Sequence, residues 1–308
     1  MVPVRNSCTA AVPPYSGLFV THMGGWGGIG IVGLSLAGVL AGSAAAAPAR
    51  QPATAPAAPC RFNVVGSGRV VTVMDGRSLT LDDGREVRLA GIEVPPAPNP
   101  TDRGPGGGAA AKAALESLVV GRIVELRQRQ PANDRYGRVL AFISIPPDPD
   151  GALPEAAEPS IAHALIGQGL ARVGANLDDP ACTAELLSRE RVARTQRLGL
   201  WGEPDYAIMS AESGDALLGQ EGHFAVVEGK VASVRESGGV IYMNFGRRWS
   251  QALTVTILKR HERSFAAAGL QPDRLANLRL RVRGYIEERS GPRIEATRPE
   301  QIEIARGE

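Results

Sequence analysis

The sequence predicts a mainly β protein with helices, an α+β chain built from two small barrels or twisted sheets in series. Two stretches carry this reading. Gly68 to Pro96 reads GRVVTVMDGRSLTLDDGREVRLAGIEVPP, short β-rich runs punctuated by Asp75-Gly76 and Asp83-Gly84. Gly and Asp tolerate the positive φ that tight hairpins need, so these runs read as a meander. Glu221 to Ile304 carries five more runs, with a short helical stretch between the third and fourth. That is the order of an OB-type barrel. The length of 308 residues leaves room for two such units, at about 100–200 residues each.

In the first β-rich stretch, Val70, Val71 and Val73 open a strand, Leu79 to Leu81 forms a second, and Glu86 to Ile92 a third. Ala97 to Gly108 is a polar loop. A helix is expected over Ala109 to Leu118, with Leu115 and Leu118 on one face. Ile123 to Leu126 and Val139 to Ile145 are strands around a loop at Pro131 to Gly137. Pro146 to Pro159 holds several prolines, which excludes a helix interior or a central strand, so it reads as a surface loop. Ser160 is placed to cap a helix from Ile161 to Gln168 that Gly169 ends. Asp178-Asp179-Pro180 starts a third helix with charges at i, i+4 spacing. Leu200 and Trp201 are expected to tuck its end onto the barrel.

The N-terminal residues 1–47 have the pattern of a signal peptide or N-terminal anchor. Arg5 and His22 make a weakly basic start, Ile29 to Leu40 an apolar centre, and Ala45 to Ala47 an alanine-rich exit. The expectation is an exported protein, periplasmic or secreted, or a membrane-anchored one if the segment stays on. Residues 48–59 read as a Pro/Ala linker. Residues 60–203 read as the first domain, 204–219 as a second linker and 220–308 as the second barrel. Cys8 would leave with the signal, and Cys60 and Cys182 would remain. An even count in an exported protein suggests a disulfide between them; two buried free thiols are the alternative.

The formal net charge of +2 excludes a polycation, so any nucleic-acid affinity must come from local patches. There is no Cys/His cluster with zinc spacing and no P-loop.

The run VMDGRSLTLDDGREVRLAGIEVP resembles the opening of the thermonuclease family, with its Asp-Gly-Asp-Thr turn and Arg-Leu-x-x-Ile/Val-Asp-Thr-Pro-Glu strand exit. Asp134-Arg135-Tyr136-Gly137-Arg138 and the ending Leu198-Gly199-Leu200-Trp201 follow in the family's order. The resemblance covers roughly Gly68 to Trp201. It implies a five-stranded OB-type barrel with three helices and a calcium-dependent phosphodiester hydrolase. Such an enzyme uses two arginines on the phosphate and a glutamate as general base. A transition state more negative than its ground state needs those residue types.

Carried over residue by residue, Arg88 and Arg138 stand at the two arginines. Asp75 and Glu93 stand at metal-ligand positions. Arg77 replaces the second aspartate of the turn, and Pro96 stands where the glutamate should be. Proline accepts no proton, and the nearby acids Glu93, Asp82, Asp83 and Asp102 offer no identified replacement. The residues alone leave ion pairs open as well: Arg88 with Glu86 or Glu93, and Arg138 with Asp134.

The second module resembles OB-fold modules of the nucleic-acid-binding type, in Glu228-Gly229-Lys230-Val231-Ala232-Ser233-Val234 and Val282-Arg283-Gly284-Tyr285-Ile286. Its candidate contacts are Tyr242, Phe245, Arg247, Arg248 and Trp249, with Tyr285 also among the aromatics. Aromatics interleaved with arginine stack bases and neutralise phosphates. Core packing of the aromatics is the alternative. Three readings follow. The first is a nuclease acting on nucleic acid, with calcium as its metal. The second is a non-catalytic nucleic-acid-binding module on the same scaffold. The third is a structural or interaction protein of the envelope, with a protein partner there, in which the arginines make internal salt bridges. None calls for a small-molecule cofactor.

Overall fold

A computed structural model describes residues 62–96, 107–130, 132–146, 160–175, 177, 179–248 and 250–305. The signal-like segment, Cys60, Asp102, most of the Pro146 to Pro159 loop and Trp249 lie outside the described residues. Among the described residues no helix is long and apolar enough to cross a membrane.

The first barrel is closed by five strands: β1 (Asn63–Asp75), β2 (Ser78–Leu81), β3 (Glu86–Leu89), β5 (Ile123–Gln128) and β6 (Val139–Ser144), hydrogen-bonded in the order β1-β2-β3-β6-β5. The 13-residue β1 closes the ring because its two halves bond different neighbours. Asn63 to Arg69 pair with β5, and Val70 to Asp75 pair with β2. β3 and β6 run parallel, with Arg88 opposite Leu140. Alternation puts Val70, Val73, Leu79, Leu81, Val87, Leu89, Val124 and Leu126 inside, each at most 3% exposed.

The short β4 (Ile92–Glu93) leaves the barrel and pairs with β7 (Arg172–Val173). Three helices cover the barrel: α1 (Gly107–Val119), α2 (Ile161–Gly167) and α3 (Pro180–Thr195). α3 starts as expected: Pro180 occupies the first turn and Asp179 accepts the Cys182 N–H at 3.0 Å. Ser160 flanks α2 but does not cap it. Its hydroxyl lies 2.7 Å from Nδ1 of buried His163 instead.

Gly76 corrects the turn argument. Its φ is not positive; the glycine is required because a Cβ there would meet Val94 Cγ1 at 2.6 Å and Ala111 Cβ at 2.8 Å. Gly84, at φ +83°, is a turn glycine of the expected kind.

Pro204 to Gly219 is not a bare linker. It contains β8 (Met209–Ser210), parallel to the next strand, and helix α4 (Gly214–Leu218). The second module then runs β9 (Phe224–Lys230), β10 (Ser233–Ser237), β11 (Val240–Asn244), β12 (Thr254–Leu258), helix α5 (Glu262–Ala267), β13 (Arg279–Tyr285), β14 (Glu287–Glu288), β15 (Pro292–Glu295) and β16 (Ile302–Ile304). Its sheets are ordered β10-β11-β12-β15-β14 and β16-β13-β9-β8.

β9 and β10 are one bent run. At the bend the Val231 N–H donates to Leu278 O and the next N–H, of Ala232, to Asn244 O, so bonding passes from one sheet to the other. β13 and β14 repeat the device. Counting each as one strand gives the order of the first barrel, with a parallel pair, β12 and β15, at the matching place. Phe245, Phe265, Leu253, Val255, Ile257 and Val282 fill its interior.

Thr54–Glu308 forms one compact unit, so the two barrels pack on each other. The joint is buried and polar. Arg283 of β13, 1% exposed, places Nη1 2.9 Å from Oε2 of Glu190 on α3, which is 0% exposed, and donates to Val173 O at 3.0 Å. Its Nη2 reaches Glu303 of β16. The second Glu190 oxygen accepts the Val173 N–H at 3.2 Å. Burial works against the Arg283 charge, but Glu190 and Glu303 outweigh it and hold the pKa above the ordinary value. Trp201 packs beside this joint against Ala193 and Val226.

Candidate functional site

The candidate residues meet at one end of the first barrel, where β1, β3, β4 and β6 begin or stop. One hollow is lined by Arg77, Arg88, Glu93, Asp134 and Arg138, among others. An adjoining hollow of about 490 Å³ has Asp75, Arg77, Arg88, Glu93 and Pro96 on one side, and Tyr206, Phe224 and Tyr285 on the other. Arg88, Arg138 and Glu93 therefore converge on one concave surface.

The loop before β6 is built by its own aspartate. Asp134 Oδ1 accepts the N–H groups of Tyr136 (2.8 Å) and Arg138 (3.1 Å), and Gly137 takes φ +83° to complete the turn. Asp134 Oδ2 accepts Arg138 Nε at 2.7 Å and Nη2 at 2.6 Å. Burial opposes the Asp134 charge, but these donors outweigh it and hold the carboxyl below the usual range. The ion pair read as one option for Arg138 is thus present. It fixes the guanidinium plane, and among the described residues Nη1 has no hydrogen-bond partner. Tyr136, 67% exposed, lies under the guanidiniums of Arg135 and Arg138, at 4.8 and 5.3 Å.

Arg88 differs. It is half-buried on β3, between Ser78 and Leu140, and among the described residues no side chain hydrogen-bonds or pairs with its guanidinium. Burial and then the charges of Arg77 and Arg138 lower its pKa, whereas Glu93 and Asp75 act the other way. A partly desolvated cation beside two others, with its fork unengaged, is prepared for an anion.

Arg77 accounts for the two acids. Its main-chain N–H donates to Asp75 Oδ1 at 2.8 Å, and its Nη1 donates to Ile92 O at 3.3 Å and forms an ion pair with Glu93. Both groups of that ion pair are largely buried. The residue that replaces a carboxylate in the turn thus brings its positive charge to the other metal-ligand position. Among the described residues no three His, Cys, Asp or Glu side chains are placed to hold an ion. The residues present do not fit the calcium that the resemblance implies.

Pro96 is exposed and brings no proton acceptor. Asp82 and Asp83 are turned to other duties, accepting from Arg69 N at 3.1 Å and Arg85 Nε at 2.6 Å.

Tyr285 is the residue whose place the sequence did not reveal. Its position among second-barrel aromatics pointed to a site there. The ring instead ends β13 over the first barrel's cleft, edge-on to Phe224 with centroids 5.7 Å apart. Arg172, Tyr206 and His223 line the same cleft. Arg172 is buried, spans the barrels to Tyr206 O and Phe224 O, and has its pKa lowered by burial to about 10.

Of the other second-barrel candidates, Phe245, Arg247 and Arg248 line one hollow, and Tyr242 is not part of its lining. Phe245 is 2% exposed and belongs to the core, so it stacks on no base. Tyr242 is half-buried on β11, between Arg235 and Thr256. Arg247 and Arg248 line a shallow hollow with Lys230 and Asn277, and Trp249 lies outside the described residues. Cys182 is buried and disulfide-bonded.

These features define an OB-type barrel with an arginine-lined cleft at one end. Comparison with known proteins agrees. Residues 86–203 match the family described as staphylococcal nuclease homologue. A micrococcal nuclease from Shigella flexneri is 29% identical over 141 residues, which is 45% of this chain and 75% of that protein. The first barrel is a thermonuclease-like domain, a nuclease-type scaffold followed by a second barrel.

Proposed function

We propose that this protein binds nucleic acid through phosphate contacts on a thermonuclease-like scaffold and does not hydrolyse it by the calcium route. The observation that carries the reading is Arg77. Its guanidinium engages Glu93 and its N–H engages Asp75, so an internal cation stands where hydrolysis requires a bound one. Pro96 at the place of the general base supports the same conclusion, because loss of such a base costs about 10²–10⁴ in rate. What remains is the phosphate half of the site: Arg88, whose fork no side chain engages among the described residues, the oriented Arg138, and Tyr136 beside it.

Nucleic acid binds in the cleft with its phosphate oxygens between Arg88 and Arg138. Glu93 acts as the counter-charge of Arg77. The protein works outside the cytoplasm, a reading supported by the signal-like first 47 residues and by the disulfide at Cys182, a bond that persists in oxidising compartments.

The test is digestion and binding of labelled single-stranded DNA by the purified protein, with calcium and with chelator. The expected result is no cleavage in either, with binding that weakens steeply as salt rises and is lost in the Arg88→Ala, Arg138→Ala double variant. Calcium-dependent cleavage abolished in that variant would overturn the reading.

A further inference from the structure

We propose that Tyr285 partitions the cleft, so that the site takes the phosphorylated end of a nucleic-acid strand, or a free nucleotide, rather than a strand running through it. This rests on the phosphate-binding reading above and adds its substrate class. The two hollows share Arg77, Arg88 and Glu93 on the first barrel, and Gly222 and Tyr285 on the second. Where the two hollows adjoin, a strand passing from one to the other runs between Tyr285 and the Arg77–Glu93 pair.

The ring is braced. Tyr285 lies opposite Phe224 in the β13–β9 ladder and packs against its edge. The hydroxyl is close enough to the pair to feel both charges. Burial first, and then Glu93, raise its pKa, and Arg77 opposes them. The space between the barrels is thus divided at the arginines.

The larger-walled side suits one nucleotide. Its volume of about 490 Å³ lies in the range of small-molecule sites, about 300–1,000 Å³. Pro95, Pro96, Tyr206 and Phe224 supply flat apolar walls of the kind on which a base stacks. The charge points the same way. A terminal phosphate carries about −1.5 to −2 and three acceptor oxygens, more than an internal diester. Arg88 lines both hollows, and among the described residues no side chain engages its fork, so it is the donor for the additional oxygen; Arg138 lines only the other hollow.

The experiment is competition against a short fluorescent oligonucleotide, read by anisotropy with the full chain at fixed salt. The competitors are the same strand phosphorylated at its 5′ end, at its 3′ end, or at neither, then a circular single strand, and a nucleoside monophosphate. Only the part of the binding lost in Arg88→Ala is scored. One additional charge-assisted hydrogen bond corresponds to about a tenfold preference for a phosphorylated end. The circle is expected to compete at least about tenfold less well than the phosphorylated strand, and Tyr285→Ala to narrow that gap to about twofold. Tyr285→Phe keeps the ring and should keep the circle out.

Competition by the nucleoside monophosphate as strong as by the phosphorylated strand identifies the free nucleotide as a sufficient ligand; weaker competition identifies the strand end. A circle that competes equally with the wild-type chain, or an end whose phosphate confers no advantage, overturns the partition and leaves phosphate binding standing. Absence of Arg88-dependent binding by every competitor overturns both. If Tyr285→Ala fails to fold, the wild-type comparison of circle with strand still decides.

Discussion

Removing Arg283 should cost more than any other single truncation at the joint between the barrels. The side chain is 1% exposed and meets Glu190, 0% exposed, together with Val173 O and Glu303. In Arg283→Ala, Glu190 keeps the Val173 N–H at 3.2 Å and the through-space charge of Arg172, but loses the cation paired directly with it. Breaking a buried pair from one side costs about 3–5 kcal/mol. A unit of this size shifts by about 2 °C per kcal/mol, so the melting temperature should fall by about 6–10 °C. The double variant Arg283→Met, Glu190→Leu removes both charges and retains volume. It should recover part of the loss, because apolar replacement of a buried pair is often neutral or stabilising, while the Val173 N–H and carbonyl give up these partners. Scanning calorimetry of the wild-type, single and double variants measures this. A single variant that loses less than about 1 kcal/mol, or a double variant as unstable as the single, would refute the argument that an orphaned charge sets the cost.

Three further outcomes follow from the site and its surroundings. Wild-type protein should show no rise in melting temperature with added calcium, whereas Arg77→Asp, which returns a carboxylate to the turn and frees Glu93, should show one that grows with calcium concentration; a calcium-dependent wild type would contradict the placement of Arg77. Burial pushes the Glu228 carboxyl up, but hydrogen bonds from Arg279 and Arg281 outweigh it and hold the pKa below the ordinary value. Its contribution to stability is therefore full above the unfolded pKa of about 4.3 and fades as pH falls through the lower folded value, so Glu228→Gln should flatten the acid limb of a denaturation–pH profile. Gly76→Ala forces a Cβ to within 2.6 Å of Val94 and 2.8 Å of Ala111 and should cost about 1–3 kcal/mol in urea titrations, whereas a substitution by asparagine at Gly84, which faces open space at φ +83°, should cost far less.

Much of the fold was legible because its signals are local. β-branched runs, Asp-Gly turns and the Asp179-Pro180 start each act within a few residues, and most strands fall close to where the pattern puts them, although β1 begins at Asn63, ahead of the valine run, and the last run of the second module divides into β15 and β16. The placement of the candidate site residues was legible for a different reason: the Asp134 to Arg138 loop and the β3 arginine are short motifs that come together on one hollow. What could not be read was anything that depends on two barrels meeting. Nothing in the spacing of Tyr285 tells which surface its ring will face, since 147 positions separate it from Arg138. Phe245 looked like a stacking residue because it stands beside arginines, yet strand alternation turns it inward. Pro204 to Gly219 looked like a spacer because β8 is too short to announce itself; it exists only because β9 is there to pair with it. Arg77 was visible as a mismatch, but that its side chain would reach Glu93, 16 positions on, is a property of the closed ring.

The joint also bears on where this protein can be cut. Helix α3 belongs to the first barrel by sequence, yet it hands Glu190, Ala193 and the adjoining Trp201 to the second. A fragment ending at residue 203 would present to water a carboxylate, an indole and an alanine face that the full chain keeps covered. The family match stops at that residue, but the physical object does not. Anyone expressing the thermonuclease-like part alone should first redesign that face, with polar residues at Ala193 and Trp201, and treat the second barrel as the missing half of a surface rather than as an optional attachment.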